Sequence, residues 1–139
     1  MVDDSASFND PAVAAAAVPA AWTASDTTPG YYGGGYRWAP TQPDATDGAA
    51  FSFRLAAPAS RALDARWTSG TNRSPQAAYA VITAAGDTLA VVLVDQTSGG
   101  GFWRALGTWA FPAGWNRIVL LRRAAAGSVV VADAVRVRE

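Results

Sequence analysis

The stretch Gly99–Val137, GGGFWRALGTWAFPAGWNRIVLLRRAAAGSVVVADAVRV, decides the fold. It holds three apolar runs, separated by two glycine-containing turns at Pro112-Ala113-Gly114 and Ala124–Gly127. Each run is too short, and too rich in β-branched or aromatic residues, to read as a helix. In the last run Val129, Val131, Val135 and Val137 share one parity while Arg136 and Arg138 share the other. Alternation along a strand therefore predicts valines facing inward and arginines facing water. Asp133 has the valine parity. A carboxylate on the core face of a strand has to be paired, hydrogen-bonded or bound to a metal, because burying it bare costs several kcal/mol.

Working back toward the N-terminus, the same kind of pattern recurs. Phe51, Phe53 and Leu55 alternate with Ser52 and Arg54, and Leu63, Ala65 and Trp67 alternate with Asp64, Arg66 and Thr68. Both read as half-buried antiparallel strands. Tyr79–Thr83 and Thr88–Val94 flank Ala84-Ala85-Gly86-Asp87, a hairpin connection. Leu89–Val94 is apolar at every position, which predicts a strand covered on both faces. Trp22–Ser25 suits a short strand. Pro29-Gly30 and Gly33-Gly34-Gly35 mark a loop, and the stretch from Trp38 to Gly48, with Pro40 and Pro43, reads as another. Before these, Met1–Asp10 reads as an edge strand or an extended arm. Asp10-Pro11 ahead of the alanines fits the cap and first turn of a short helix ended by Pro19, or the segment is held extended by packing. About eight short strands without a long helical pattern predict an all-β, antiparallel sandwich of jelly-roll type, a single domain over residues 1–139.

Composition narrows the function. Half of the 139 residues are apolar, 16% are charged and the formal net charge is zero, which gives no electrostatic reason to expect nucleic acid or an acidic membrane as partner. All 11 basic residues are arginine, as in proteins from GC-rich genomes. No window approaches the roughly 20 apolar residues that cross a bilayer. The run Ala12–Ala21 follows Pro11, contains Pro19 and has an acidic leader, unlike a signal peptide, so the chain reads as a mature domain. Histidine and cysteine are both absent. That excludes Ser-His-Asp and Cys-His nucleophile systems, thiolate chemistry, disulfides and histidine-bearing zinc sites. Ten aspartates and one glutamate leave carboxylate-pair hydrolysis formally open, but most lie in turn contexts where they bond local backbone.

Asp95-Gln96, Trp103, Leu106-Gly107-Thr108 with Phe111 and Gly114, and Val131-Ala132-Asp133-Ala134-Val135 form a series with fixed spacing. Upstream, Val2-Asp3-Asp4, Trp22 with Ser25, and Gly30-Tyr31-Tyr32-Gly33 with Tyr36 continue it. By these residues the chain resembles the golvesin C-terminal-like domain, related copies of which occur in bacterial xanthan lyase-type proteins and other secreted multidomain hydrolases. It departs from that pattern at Ala59-Ser60-Arg61-Ala62-Leu63, where the family has a Gly-Thr-Tyr-like entry, and in the Ala12–Ala17 run. The resemblance implies a β-sandwich related to carbohydrate-binding modules, carried as an appendage on a secreted or cell-surface protein, and no catalytic residues.

Sugar-binding modules stack pyranose rings on exposed aromatic faces beside polar donors. Tyr31, Tyr32, Tyr36 and Trp38, with Arg37 as donor, occupy one glycine-rich segment, and Trp103 follows another; these are the candidate ligand residues. The same rings also suit plugging of the sandwich ends. Trp22, Trp67 and Trp109, on strands, read as core. Sandwiches of this type often carry a structural calcium near the chain ends, and Asp133 with Asp3 and Asp4 offers hard oxygen ligands for one. The alternative for Asp133 is hydrogen bonding from loop amides or an arginine partner. Gln96 reads as structural, fixing the glycine turn through the backbone, and Arg122-Arg123 as a solvated strand end. The expectation is a non-catalytic accessory module that binds polysaccharide or cell-surface glycan beside an attached catalytic domain. The rival is a structural or protein-interaction domain without a glycan site.

Overall fold

The computed structural model describes residues 2–4 and 9–139, so the part of the predicted N-terminal arm at residues 5–8 lies outside it. Every regular element in the described residues is a strand: β1 (Val2–Asp3), β2 (Ala14–Ala17), β3 (Thr23–Ser25), β4 (Tyr36–Pro40), β5 (Gly48–Leu55), β6 (Ala59–Arg66), β7 (Ala77–Ile82), β8 (Thr88–Val94), β9 (Arg104–Phe111), β10 (Gly114–Leu121), β11 (Val129–Ala132) and β12 (Ala134–Arg138). They pair antiparallel into three sheets, ordered β1-β12-β6-β9, β2-β5-β10-β7-β8 and β11-β4-β3. The first two sheets form the sandwich and the third closes it.

Alternation explains the core. Phe51, Phe53 and Leu55 on β5 lie opposite Ile118, Asn116 and Gly114 of β10, and Ile118 and Leu120 in turn lie opposite Val81 and Tyr79 of β7. Residues of one parity on these strands meet Leu63, Ala65, Trp67, Phe111 and Val135 from the facing sheet in one buried cluster. The Phe53 and Phe111 rings join the layers edge to face, with centroids 5.1 Å apart. Asn116 has an inward position and is fully buried, yet it is satisfied. Its Oδ1 accepts from the Ala84 amide at 2.8 Å and its Nδ2 donates to the Pro112 carbonyl at 3.0 Å.

One alternative is decided and two expectations need correction. The alanines after Pro11 are held extended by packing, as the second of their two readings had it: they form β2, paired with β5 (Ala14 opposite Phe53, Ala16 opposite Phe51). Hydrogen bonding to a strand that already presents two phenylalanines outweighs the modest helical preference of four alanines. The predicted loop at Trp38–Gly48 begins later, because Tyr36–Pro40 is β4, held between β3 and β11. Strand β8 is not covered on both faces. It is the edge of its sheet, and Leu89, Val91 and Leu93 are 40%, 52% and 60% exposed. The register extends that apolar face across the sheet: Leu93, Ala78 and Leu121 form one row, and Val91, Ala80, Val119, Ala50 and Ala17 the next.

The final run is the hinge of the topology. It breaks at Asp133, where the chain leaves the three-stranded sheet (β11 beside β4) and enters the four-stranded one (β12 beside β6 and β1). In β11, Val130 is as buried as Val131, so the valine alternation predicted for a single strand holds in β12 rather than across the whole run.

Candidate functional site

Two groupings meet around Tyr32. The first is acidic. Antiparallel pairing of β1 with β12 puts Asp3 opposite Ala134, and the Asp4 amide donates to the Asp133 carbonyl at 2.8 Å. Asp3, Asp4 and Asp133 are 0%, 6% and 1% exposed, with carboxylate oxygens within 4.8 Å of one another. Burial, with the neighbouring Asp3 charge adding to it, pushes the Asp4 carboxyl up to about 8. Burial also pushes Asp133 up to about 8, against the opposing pull of a bond from the Tyr32 amide. Arg37 approaches this group with its Nε 3.9 Å from Asp4 Oδ2, while Asp4 Oδ1 is buried without a hydrogen bond. Three buried carboxylates and an orphaned oxygen make a donor set that suits a hard divalent cation. Asp4 and Arg37 also line an open cleft of about 360 Å³ with Ser25, Asp26 and Gly35.

The second grouping is aromatic and cationic. Gly30 sits at φ 103°, and a Cβ there would approach the Gly101 Cα to 3.0 Å, so only glycine lets the loop before Tyr31 lie against the loop before Trp103. That approach brings the Tyr32 and Trp103 rings together at 5.7 Å, tilted by 52°. The Tyr32 amide donates to both Asp133 oxygens, at 2.9 and 3.1 Å, so the carboxylate anchors the backbone that carries the ring. Arg66 lies 5.8 Å from the Trp103 centroid and 5.9 Å from that of Tyr32, and Arg136 lies 4.9 Å from Trp103. Phe102, the neighbour of Trp103 in the chain, is 68% exposed.

Of the predicted ligand residues, the structure therefore unites Tyr32 and Trp103. Tyr31 packs toward Tyr36, with centroids 6.3 Å apart. Tyr36 is a correction: its ring belongs to the buried core, its hydroxyl accepts from the Thr28 amide at 3.2 Å, and Arg73 lies beside it. Trp38 lies on β4 opposite Thr23 and Val131, half-buried against the core. Arg37 belongs with Asp4. Trp22 and Trp67 are buried, with their indole N–H groups donating to Asp47 and to the Ser98 carbonyl, whereas Trp109 is only half-buried at the core margin. Gln96 reaches farther than its own turn. Its side chain donates to the Val131 carbonyl and the Tyr79 hydroxyl and accepts from the Val131 amide, so it stands in for a strand partner of β11. Arg122 is not simply solvated, because it pairs with Asp47 at 2.6 Å.

Sequence reasoning missed Phe102, Arg66 and Arg136. The arginines carry the outward parity of β6 and β12, which reads as an ordinary wet face. Only the register shows that Ala65 lies opposite Arg104 and Ala134 opposite Arg66, so that both guanidinium groups converge on the residue preceding β9.

A family model described as "Golvesin C-terminal domain" matches residues 7–139. The chain belongs to this family. It is 34% identical over 118 residues to a xanthan lyase of Bacillus sp. (strain GL1), covering 83% of this chain and 12% of that protein. The structure of a Paenibacillus xanthan lyase superposes on 99% of the chain with a TM-score of 0.70 at 27% identity, again covering 12% of the larger protein. This golvesin-type domain thus spans about an eighth of the length of those relatives. A family 35 carbohydrate-binding module from Clostridium thermocellum shares the fold, with a TM-score of 0.56 at 19% identity over 89% of this chain and 90% of that one. No helix of the described residues is long and apolar enough to cross a membrane.

Proposed function

We propose that residues 1–139 form one non-catalytic accessory module that binds polysaccharide or cell-surface glycan and holds an attached catalytic domain near its substrate. The observation that carries this reading is the Tyr32–Trp103 ring pair, set at 5.7 Å between two loops and flanked by guanidinium donors. Rings supply apolar faces for the C–H surface of a sugar, and adjacent donors meet its hydroxyls. Linkage to an enzyme raises the effective substrate concentration, so modest affinity suffices. The xanthan lyases similar to this chain, and the fold it shares with a carbohydrate-binding module, support the same reading. Location outside the cell, secreted or at the surface, goes with it. In this reading Asp3, Asp4 and Asp133 hold a structural calcium that stiffens the loop carrying Tyr32. The test is titration of the folded domain with bacterial and plant polysaccharides, read by intrinsic tryptophan fluorescence. A saturable change abolished by Trp103→Ala and weakened by Tyr32→Ala is expected. Silence of a folded protein across the panel removes the reading.

The apolar outer face of the five-stranded sheet favours a second one. Leu89, Val91 and Leu93 lie on an edge strand that carries no charge and no proline to blunt it. The 12% coverage of the xanthan lyases means that their homologous segments sit beside other domains, so the fitting occupant is the apolar face of a neighbouring domain in a longer chain. Hydrogen exchange along β8 with and without a flanking domain checks it. Added protection of β8 supports docking, and unchanged exchange removes it.

A further inference from the structure

The five-stranded sheet ends in two features that a flat docking surface does not use. The first is an open backbone edge. Strand β8 closes its sheet, so one row of its amides and carbonyls meets no strand. The register slips by one residue where Val81 lies opposite Ala90 and Ile82 opposite Thr88, which leaves Ala90–Val94 as the regular part of that edge. All five of these residues are aliphatic. Strand β9, the edge of the facing sheet, is less fit for pairing, because it begins at Arg104 and slips its own register opposite Leu63 and Asp64.

The second feature is a cleft of about 260 Å³ between the two edges. Val92 and Val94 of β8, with Trp67 and Ala105, give it apolar walls, and Asp95 and Arg104 line it too. Alternation sends Val91 and Leu93 to the outer face of the sheet and turns Val92 and Val94 the other way. A strand laid along β8 would bond the open edge and place alternate side chains on the outer face and in the cleft. The flat face of another domain would cover the outer face alone, leaving the edge and the cleft empty.

Charge narrows the kind of strand. Asp87 and Asp95 bracket β8, both are exposed, and neither makes an ion pair among the described residues. The Thr97 hydroxyl and amide bond to Asp95 Oδ1 at 2.5 and 2.9 Å and hold its carboxyl below the usual range. Arg104 shares the cleft with Asp95 without pairing with it. A second copy of β8 fits badly. Antiparallel pairing about Val91 sets Asp87 against Asp95 of the other copy at both ends, and moving the pairing by two residues sets an aspartate against Leu89 or Leu93.

Resting on the reading that this sheet docks a neighbouring domain, we infer that the partner is an extended strand that pairs with Ala90–Val94, aliphatic on both faces at its centre and carrying lysine or arginine at each end. Asp87 and Asp95 receive those ends, and the cleft receives every second side chain. Because both ends of β8 are acidic, either strand direction serves.

The experiment tethers a probe segment, Lys-Thr-Val-Val-Val-Thr-Lys, to the C-terminus of the folded domain. The tether is a flexible glycine-serine linker of about 30 residues, which reaches roughly 30 Å. Hydrogen exchange at Ala90–Val94 is read at low protein concentration. With an effective concentration of about 1 mM and a dissociation constant of about 0.1 mM, the segment should slow the outward amides about tenfold. The same segment with glutamate at both ends, or with proline at its centre, should slow them far less. High salt should bring the lysine and glutamate forms together, and so should Asp87→Asn combined with Asp95→Asn. No slowing by the lysine form overturns this inference, and the docking reading still stands if a flanking domain protects β8. Equal slowing by lysine and glutamate forms overturns the part given to the two aspartates, and equal slowing by the proline form overturns strand pairing. Slowing in the untethered chain that grows with its concentration makes a second copy the occupant and overturns the inference as well. Protection by neither the segment nor a flanking domain overturns both readings.

Discussion

Asp64 and Asp133 are two buried carboxylates with opposite fates. They are 2% and 1% exposed, and each is reached by strands of the same four-stranded sheet. Asp64 lies under the Arg136 and Arg138 guanidinium groups, and bonding to Arg138 holds it below the usual carboxylate range. Asp133 lies with Asp3 and Asp4 and is pushed up to about 8, chiefly by burial. Depth is the same; the company differs. One site is completed by the chain's own cations. The other gathers like charges, so at neutral pH it is stable only by retaining protons or by accepting an external cation.

The sharpest way to break this contrast is to remove Asp133. Asp133→Ala deletes the acceptor of the Tyr32 amide, which costs about 1–3 kcal/mol for a buried donor left unpaired. On the proposed calcium role it also abolishes calcium stabilisation, worth about 2.7 kcal/mol when calcium is a hundredfold above its dissociation constant. Chemical denaturation in calcium should show the sum of the two, and denaturation in chelator only the first. An equal loss in both conditions would place the metal idea in error.

Acidity gives the next effect, and its signs oppose. Asp4 and Asp133 bind protons more tightly in the folded chain than at their ordinary value of 3.8. Their contribution in chelator is therefore full below pH 4 and lost as pH rises toward and through 8. Asp64 works the other way, with stability present above its ordinary value and lost as pH falls through its lowered one. The chelated protein should thus melt at a lower temperature at pH 8 than at pH 5, and calcium should erase or reverse that slope. A chelated melting temperature that does not fall between pH 5 and 8 contradicts the clustered carboxylates.

Asp64→Asn should have the smallest consequence. Its arginine partners have side chains 38% and 45% exposed and are readily hydrated, so a loss of about 1 kcal/mol is expected, independent of calcium. A calcium-dependent loss would join the two sites that are separated here.

How much of this was legible in the sequence follows from what alternation can report. Phe51, Phe53 and Leu55 announce a half-buried strand because their neighbours are polar, and β5 is one. Asp133 stands out for the same reason, as the one charge on a valine face. Alternation is silent where every residue is alike. The alanines of β2 have no size contrast to show a period, and the unbroken apolar run of β8 cannot distinguish a buried centre from an exposed edge, since that depends on whether another strand arrives. Tyr36 and Trp38 sit between glycines and prolines that read as loop, and pairing of Trp38 with Val131 and Thr23, and of Tyr36 with Ser25, makes them strand. Arg66 and Arg136 were invisible as a site because the register that gathers them spans three strands far apart in sequence. The grouping of Asp3 and Asp4 with Asp133, by contrast, was expected, and β1 pairing with β12 is what brings them together.

The link between the two regions rests on one hydrogen-bonded amide, that of Tyr32 on Asp133. The most direct measurement is therefore a polysaccharide titration of the same folded protein, followed by tryptophan fluorescence, first with calcium and then with chelator. Saturable binding that weakens on chelation, while Asp64→Asn retains both the binding and its calcium dependence, is the expected result. Binding of equal strength in calcium and in chelator would contradict it, by detaching the acidic cluster from the proposed glycan face.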